Sequence, residues 1–474
     1  MAVSTGELLL IPEIVGLDAR RQLVRIPPEL DVPMTDRVRK IVDSAPFQRL
    51  ANVSQLGLVA LVYPGARHTR FEHSLGVYRL ALLFLKRLAH DERFAAEVTR
   101  SEAQLLIAAA LLHDIGHWPY CHLIEDLALP EIEPHETLAR RFVTRGEIAD
   151  ILRSDWGVDP MEVAALLDHE PIRRKEGESD SEFCRRQKAF GLLSTILSGP
   201  IDIDKMDYLF RDSHASGVPY GRHFDSERLI GSLCLNASGD SLAITVKGKT
   251  AAELMVFARY VMFSEVYWHH TVRAATAMFQ RLFELAHEAA SESLADAALT
   301  LSAERWLDRV RAHLAENHSK EAVGATALFD GLFGAKRSIY KRVRQLSILE
   351  EPELYRRLAG QKRAVLRRFC ADLIERLNAE KSIVEKIGRA IGPNELLVDS
   401  PPADREIEFA IDIYDPREEK YRPLCDVSPV VRALAKEQFD DYVKRVRFYA
   451  PEKIADVLRS SDRFTALIGS SCPR

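Results

Sequence analysis

Paired cysteines, long apolar runs and an excess of one charge are all missing from this sequence, and each absence narrows what the chain can be. Its six cysteines, Cys121, Cys184, Cys234, Cys370, Cys425 and Cys472, lie far apart and form no C-x-x-C pair. That pattern argues against a zinc ribbon or a disulfide framework and fits a reducing compartment, so a cytoplasmic location is expected. No stretch approaches the ~18–20 uninterrupted apolar residues of a spanning helix, and no membrane partner is expected. The apolar N-terminal "ELLLIPEIVGL" follows Glu7, lacks a basic leading region and is interrupted by Pro12, which makes it a poor secretion signal. With 65 basic and 70 acidic residues the net charge is −5, so no global field draws in nucleic acid or an anionic membrane, although a local basic patch is compatible with it. Internal repeats and low-complexity tracts are absent as well.

What is present is mostly helical patterning. A chain of 474 residues has room for two or three compact domains, or one large helical domain with an appended lobe. Residues 1–35 read as an N-terminal segment in which "QLVRIPPEL" makes a short strand and turn. A helical core is expected over 36–290. Within it "SLGVYRLALLFLKRLAH" (74–90) and "EAQLLIAAALLHDIGH" (102–117) carry apolar residues at helical spacing, the second nearly all round, which places it in the interior. The charge-dense "RKEGESDSEFCRRQK" reads as a solvated loop. Gly199-Pro200 should break the next helical run, and "SLAITVKGK" (241–249) alternates like a strand. "TAAELMVFARYVMFSEVYWHHTVRAATAMFQRLFELAHEAA" then reads as one long helix. Residues 291–474 are expected to form a smaller α+β lobe, with helices to about residue 392 and strands in "ELLVDSPP", "EIEFAIDIY" and "VRFYAP". The fold class is therefore mainly α.

The chemistry concentrates in "LLHDIGHWPYCH" (111–122), where imidazoles and a carboxylate end an apolar run. Desolvating such groups without partners costs roughly 2–7 kcal/mol each, so they need binding partners. On a helix His113 and His117 share a face, with Asp114 about 100° round from His113. Two ligands do not hold a metal, but His73 in "RHTRFEHSLG" and Asp204 in "IDIDKMDY" are candidates to complete a set. A His/Asp set without thiolates suits Mn, Fe, Mg or Zn in an open site more than a closed structural zinc site. Open positions would take water and substrate oxygens, a basis for hydrolysis.

"RFEHSLGV", "LLHDIGHWPYCH", "PHETLA" and "DIDKMDYLFRDSHASG", in this order, resemble the HD-domain phosphohydrolases. Within them the resemblance is nearest to the deoxynucleoside triphosphate triphosphohydrolases related to the human sterile-alpha-motif/HD-domain protein. It runs from about Val42 to about Tyr449 and is strongest over 42–214. It implies an HD-domain helical core and a divalent metal held by His73, His113, Asp114 and Asp204. It further implies that His117, His122 and His135 face the phosphates, with His122 as general acid and His135 and Glu136 orienting it. Arg70 and Lys205 match phosphate contacts, and Gln55, Leu56, Tyr208, Asp212 and His270 match positions that hold the rest of the nucleotide. A tyrosine ring against the 2′ carbon would select deoxyribose.

Departures from the family pattern are visible too. A nucleotide-contacting arginine of the human relative falls on Val266 and a sugar-side tyrosine on Ala274, which leaves Arg259 or Arg273 to supply the missing contact. Asp43, Gln48, Arg337 and Lys341 match a regulatory nucleotide site between subunits, but Ala51 replaces an arginine there and an upstream Asp-Pro-Val-His-Gly segment is absent. An exposed basic helix face accounts for "KRSIYKRVR" equally well. The resemblance thus implies a dimer or tetramer whose activity depends weakly, or not at all, on guanine nucleotide. The expected reaction is hydrolysis of a deoxynucleoside triphosphate to deoxynucleoside and inorganic triphosphate. The alternatives are an HD phosphatase or phosphodiesterase acting on another nucleotide or a nucleic-acid 3′ end, and a non-catalytic nucleotide-binding regulator.

Overall fold

In the computed structural model, residues 5–289, 294, 300–401, 411–434 and 443–472 are described. Two short helical segments, Thr5–Leu9 and Pro12–Gly16, precede a hairpin of β1 (Leu23–Ile26) and β2 (Leu30–Pro33), the strand and turn expected from "QLVRIPPEL". Helix α1 (Arg70–Leu88) starts at a capping box in which Thr69 and Glu72 satisfy each other's backbone N–H groups. Helix α2 (Arg100–Leu112) starts in the same way at Thr99 and Glu102, and its residues 105–112 are buried. The expectation of an interior helix holds, but the helix is shorter than its apolar pattern. It ends at Leu112, with His113 as its cap and Asp114–Gly116 in a turn.

Among the helices that follow are α3 (Cys121–Glu125), α4 (His135–Thr144) and α5 (Asp180–Leu197). The charge-dense segment is only partly the solvated loop expected. From Asp180 it is helix, started by a Ser179–Glu182 capping box, and Arg186 is buried against Glu178 and Glu162. Helix α5 ends ahead of Gly199-Pro200, and α6 (Ile203–Ser216) begins beyond it, capped by Asp202 and ended by Gly217 in the left-handed region.

Strands β3 (Leu233–Leu235) and β4 (Leu242–Thr245) pair antiparallel. The long helix expected next is two helices, α7 (Lys249–Met262) and α8 (His270–Ala289). A wider π-type turn over Phe263–Tyr267 and the non-helical Trp268-His269 separate them. Two further helices, α9 (Ala303–Glu316) and α10 (Lys320–Phe333), pack with α8 around Trp306, Phe279 and Phe329.

"KRSIYKRVR" is not a helix face: it runs from irregular chain into strand β5 (Lys341–Leu346). Helix α11 (Arg363–Ala379) follows, and then β6 (Leu397–Asp399). Strands β7 (Asp412–Asp415), β8 (Lys420–Pro423) and β9 (Val446–Ala450) complete the set. The first part of "EIEFAIDIY" lies outside the described residues. Strand β7 runs parallel to β4 in a sheet ordered β3-β4-β7-β8, while β9 is central and antiparallel in a sheet ordered β5-β9-β6. Ile411, Ile413 and Leu424 accordingly join the core built by α1, α2, α5 and α6. The lobe around β9 and α11 has its own core, centred on Phe369, Leu373 and Phe448. Mainly α, with small sheets, describes the whole. No described helix is long and apolar enough to cross a membrane.

Candidate active site

Helices α1, α2 and α6 bring their polar ends together at one place. Arg70 and His73 lie in the first turn of α1, His113 and Asp114 at the end of α2, and Asp204 in the first turn of α6. His73 Nε2 is 3.0 Å from Asp204 Oδ1 and 3.2 Å from His113 Nε2. Asp114 completes the cluster, its carboxylate oxygens 3.8 Å from His73 Nε2 and 3.6 Å from His113 Nε2.

The outer nitrogens of both imidazoles have carbonyl or carboxylate partners. His73 Nδ1 meets Asp207 Oδ2 at 2.8 Å, and His113 Nδ1 meets the Ala110 carbonyl at 2.9 Å. With those protons on Nδ1, both Nε2 atoms present lone pairs to each other and to the Asp204 carboxylate. Such a donor set lacks only positive charge, and spacings near 3 Å are those of ligands that share one ion at about 2.0–2.2 Å. A divalent cation therefore fits the residues present, with His73, His113 and Asp204 nearest and Asp114 beside them. Burial disfavours the charged form of His73, yet Asp204 and Asp207 raise its pKa to about 10, a sign of how strongly this spot attracts a cation. Burial likewise opposes ionisation of Asp114, but Arg70 and the surrounding histidines hold its carboxyl well below the usual carboxylate range. Arg70 donates from Nη1 to Asp114 Oδ2 at 2.7 Å, so its guanidinium braces this carboxylate at the cavity wall.

Beyond the turn, Trp118, Cys121 and Ile124 anchor the chain in the second core, and Tyr120 adopts a left-handed conformation (φ 60°). That sharp bend returns His122 to His117, their Nε2 atoms 3.1 Å apart. The His135 ring lies 4.1 Å from that of His117 and 4.9 Å from that of His122. Burial, then Arg70, keeps His117 neutral well below the usual histidine range. All three line a cavity of about 780 Å³ together with the metal-type cluster, Gln55, Arg70, Glu136 and Tyr208. That volume is within the range of small-molecule sites.

The other expected residues lie at varying distances from this cluster. Glu136 is largely exposed, 3.4 Å from His135. Glu125 orients the pair instead, with Oε2 3.0 Å from His135 Nδ1 and 3.4 Å from His122 Nδ1. The Lys205 ammonium is bound to the Asp202 carboxylate and the Gly199 carbonyl and does not line the cavity. Leu56 packs against the core. Asp212 is buried below Tyr208 and accepts from His68 Nε2 at 2.8 Å and from the Tyr267 hydroxyl at 2.6 Å. His270 lies outside the cavity, in a cleft with Tyr340, Lys341, Arg342 and Arg459. Arg273 pairs with Asp399 against Trp268, and neither it nor Arg259 is among the residues that line the cavity.

The residues matched to a regulatory site are not gathered within one chain. Asp43 borders a hollow with Gln22 and Arg39, Gln48 donates to the Val42 carbonyl, and Arg337 donates to the Leu61 carbonyl. Asp207, Glu125 and His68 were missed by sequence reasoning. The first two had a local signal, being three residues after Asp204 and His122, whereas His68 meets Asp212 only through the fold.

Comparison with known proteins adds the following. The HD domain family matches residues 70–209, and the HD associated region family matches 224–465. An uncharacterized protein of Methanocaldococcus jannaschii is 34% identical over 253 residues, 53% of this chain and 47% of that protein. The deoxynucleoside triphosphate triphosphohydrolase SAMHD1 of Gallus gallus is 29% identical over 264 residues, 52% of this chain and 42% of that protein. The chain thus spans about half the length of the curated relatives it matches. A crystal structure of a hypothetical protein from Aquifex aeolicus superposes with a TM-score of 0.67 at 25% identity, covering 92% of this chain and 98% of that one.

Proposed function

The chain belongs to the HD-domain family, with the HD-associated region following the HD domain, and on that footing we propose that it is a metal-dependent phosphohydrolase that converts deoxynucleoside triphosphates to deoxynucleoside and inorganic triphosphate. One observation carries the reading: a cation-seeking cluster of His73, His113 and Asp204 shares a cavity with His117, His122 and His135. His73, His113, Asp114 and Asp204 would hold a divalent ion, which would supply Lewis acidity toward a phosphoryl oxygen and lower the pKa of water.

The chain's own groups do the rest. As water adds to the α-phosphorus, the bond from phosphorus to the 5′ oxygen breaks and that oxygen needs a proton. His122 is the donor: its half-exposed side chain lines the cavity, and Glu125 fixes its Nδ1 so that Nε2 carries the proton inward. His117, neutral and 3.1 Å away, accepts a hydrogen bond without adding a repelling charge. Arg70 offsets charge that develops on the phosphates, and the Tyr208 ring, which lines the same cavity, would exclude a 2′ hydroxyl. Triphosphate leaves intact because the β and γ phosphates stay joined to the α-phosphorus.

The test is turnover of several deoxynucleoside triphosphates with Mn²⁺ or Mg²⁺, with nuclease substrates alongside and products resolved by phosphorus NMR. Inorganic triphosphate is expected. Orthophosphate or diphosphate products would replace this reading with a phosphatase or phosphodiesterase, and no turnover with retained binding would favour a regulator.

Assembly belongs to the same proposal. A dimer or tetramer is supported by Leu254 and Phe257, which stand 39% and 49% exposed one turn apart on α7. A regulatory nucleotide at Asp43, Gln48, Arg337 and Lys341 would then bridge subunits, with weak or no effect on rate. Sedimentation, and initial rates with and without guanosine triphosphate, check both statements.

A further inference from the structure

The thiol of Cys121 has no part in the hydrolysis above, yet it belongs to a second cluster of metal-type donors. One donor atom each from His117, Cys121, His122 and His135 lies within 4.8 Å of every other. His117 Nδ1 is 3.1 Å from Asp114 Oδ1, and His122 Nδ1 is 3.4 Å from Glu125 Oε2. Each imidazole thus directs its outer proton at a carboxylate and turns Nε2 inward, where the two atoms face one another at 3.1 Å with one proton at most between them. Two inward Nε2 atoms, a third imidazole and a thiol differ in kind from the neighbouring set. His73, His113, Asp114 and Asp204 offer nitrogen and hard oxygen, whereas this cluster offers nitrogen and sulfur. Ligand softness then sorts the ions: manganese or magnesium prefers the first set, and zinc prefers the second. An ion at sulfur displaces the thiol proton, so one proton is released per ion bound.

We propose that His117, Cys121, His122 and His135 form a second cation site, selective for zinc or another thiophilic divalent ion, and that its occupation inhibits the enzyme. Binding at the site is independent of the reaction assigned above, but inhibition rests on that reading. An ion on His122 Nε2 occupies the lone pair that must carry the proton to the leaving oxygen, so the general acid is lost while the first metal stays in place.

The experiment uses the full chain loaded with Mn²⁺. Zinc is titrated by equilibrium dialysis with metal analysis, and Co²⁺ serves as a spectroscopic stand-in. A second equivalent is expected to bind per chain, with a thiolate-to-cobalt charge-transfer band in the near ultraviolet and progressive loss of hydrolysis. In Cys121→Ser the manganese enzyme should keep its rate, lose the band and require about 10-fold more zinc for the same inhibition, the lower end of the effect of altering a metal's environment. Cys121→Ala, with circular dichroism of both variants, separates loss of the ligand from loss of the fold. Absence of a second equivalent in the wild type, or a band that persists without Cys121, overturns the site. Binding and the band without any hydrolysis would leave the site standing and remove the proposed reaction instead. Hydrolysis without a second equivalent would remove this inference alone.

Discussion

His73 is gripped from behind by Asp207: Nδ1 of the imidazole lies 2.8 Å from Asp207 Oδ2, and the same carboxylate takes Nε and Nη2 of Arg211, each at 2.8 Å. All three side chains are buried, so the carboxylate holds a fixed orientation and in turn fixes which nitrogen of His73 faces the metal cluster.

Replacing Asp207 with Asn keeps the shape but removes the charge that binds both His73 and Arg211. Metal affinity should fall by about 10- to 100-fold. Competition with a chromogenic chelator measures this, and an unchanged affinity would show that His73 is oriented by something else.

A second substitution should separate the histidine trio from the metal cluster. A Cβ on Gly116 would meet the His135 carbonyl at 2.0 Å and the Ala139 nitrogen at 2.6 Å, so α4 or the Asp114–Gly116 turn has to shift. A shift of α4 takes His135 away from His117 and leaves His73 and Asp204 on other helices, whereas a shift of the turn would also move Asp114. With α4 as the part that yields, Gly116→Ala should keep manganese bound and lose kcat by roughly 100-fold, the lower end of what acid–base groups contribute. Loss of metal in this variant, measured after dialysis, would mean that the two halves of the site are not separable.

How far the sequence reveals such relationships depends on their range. The capping boxes at Thr99 and Ser179 are local, the first marking the start of an apolar pattern and the second lying within the charge-dense run. Gly199-Pro200 ends α5 because proline removes a donor and clashes with the preceding turn. The end of α2 was not legible, since the four-residue spacing of His113 and His117 imitates a helix while the chain has already turned. Nor was the break at Trp268-His269, where a π-type turn interrupts a pattern that stays apolar throughout. The basic character of "KRSIYKRVR" does not distinguish helix from strand, and β5 exists because β9 is there to pair with it. The motif residues of the metal cluster follow from type and resemblance. Of their supports, Asp207 and Glu125 carry a local signal, three residues after Asp204 and His122, whereas His68 follows only from what the fold places beside Asp212.

Acid stability should report a contact remote from the site. Glu13 is fully buried, with Oε1 accepting from Thr35 at 2.6 Å and from Arg37 Nε at 2.9 Å, and Oε2 accepting from Arg37 Nη2 at 2.6 Å. Burial alone would raise its pKa, but the Arg37 and Thr35 hydrogen bonds outweigh it and hold it below the ordinary value. A depressed carboxylate stabilises the fold fully above its unfolded pKa, about 4.3, and that stabilisation is lost as pH falls through the lower folded value. Glu13→Gln should cost about 3 kcal/mol at pH 7 and flatten the fall of Tm below about pH 4.3. An acid limb as steep as that of the wild type would assign the transition to other carboxylates.

If the proposed reaction holds, sugar selection should depend on a brace as well as on the Tyr208 ring. Tyr208 lines the cavity, and its ring centroid is 6.5 Å from that of Tyr267. Tyr267 is in turn held by its hydroxyl on Asp212, whose other oxygen meets His68. Tyr208→Ala removes the ring and should raise the ratio of ribonucleotide to deoxyribonucleotide kcat/KM by about 10- to 200-fold, the range that a small steric difference in a pocket supplies. Tyr267→Phe leaves Tyr208 in place but takes one partner from a buried carboxylate, an uncompensated loss of about 1–3 kcal/mol that allows the wall behind Tyr208 to loosen. Its effect on the ratio should have the same sign and be smaller, with a lower Tm. Competition between the two nucleotides in one reaction gives the ratio directly. If Tyr208→Ala lowers both rates equally and leaves the ratio unchanged, the ring contributes to general binding, and discrimination at the 2′ position lies elsewhere in the cavity.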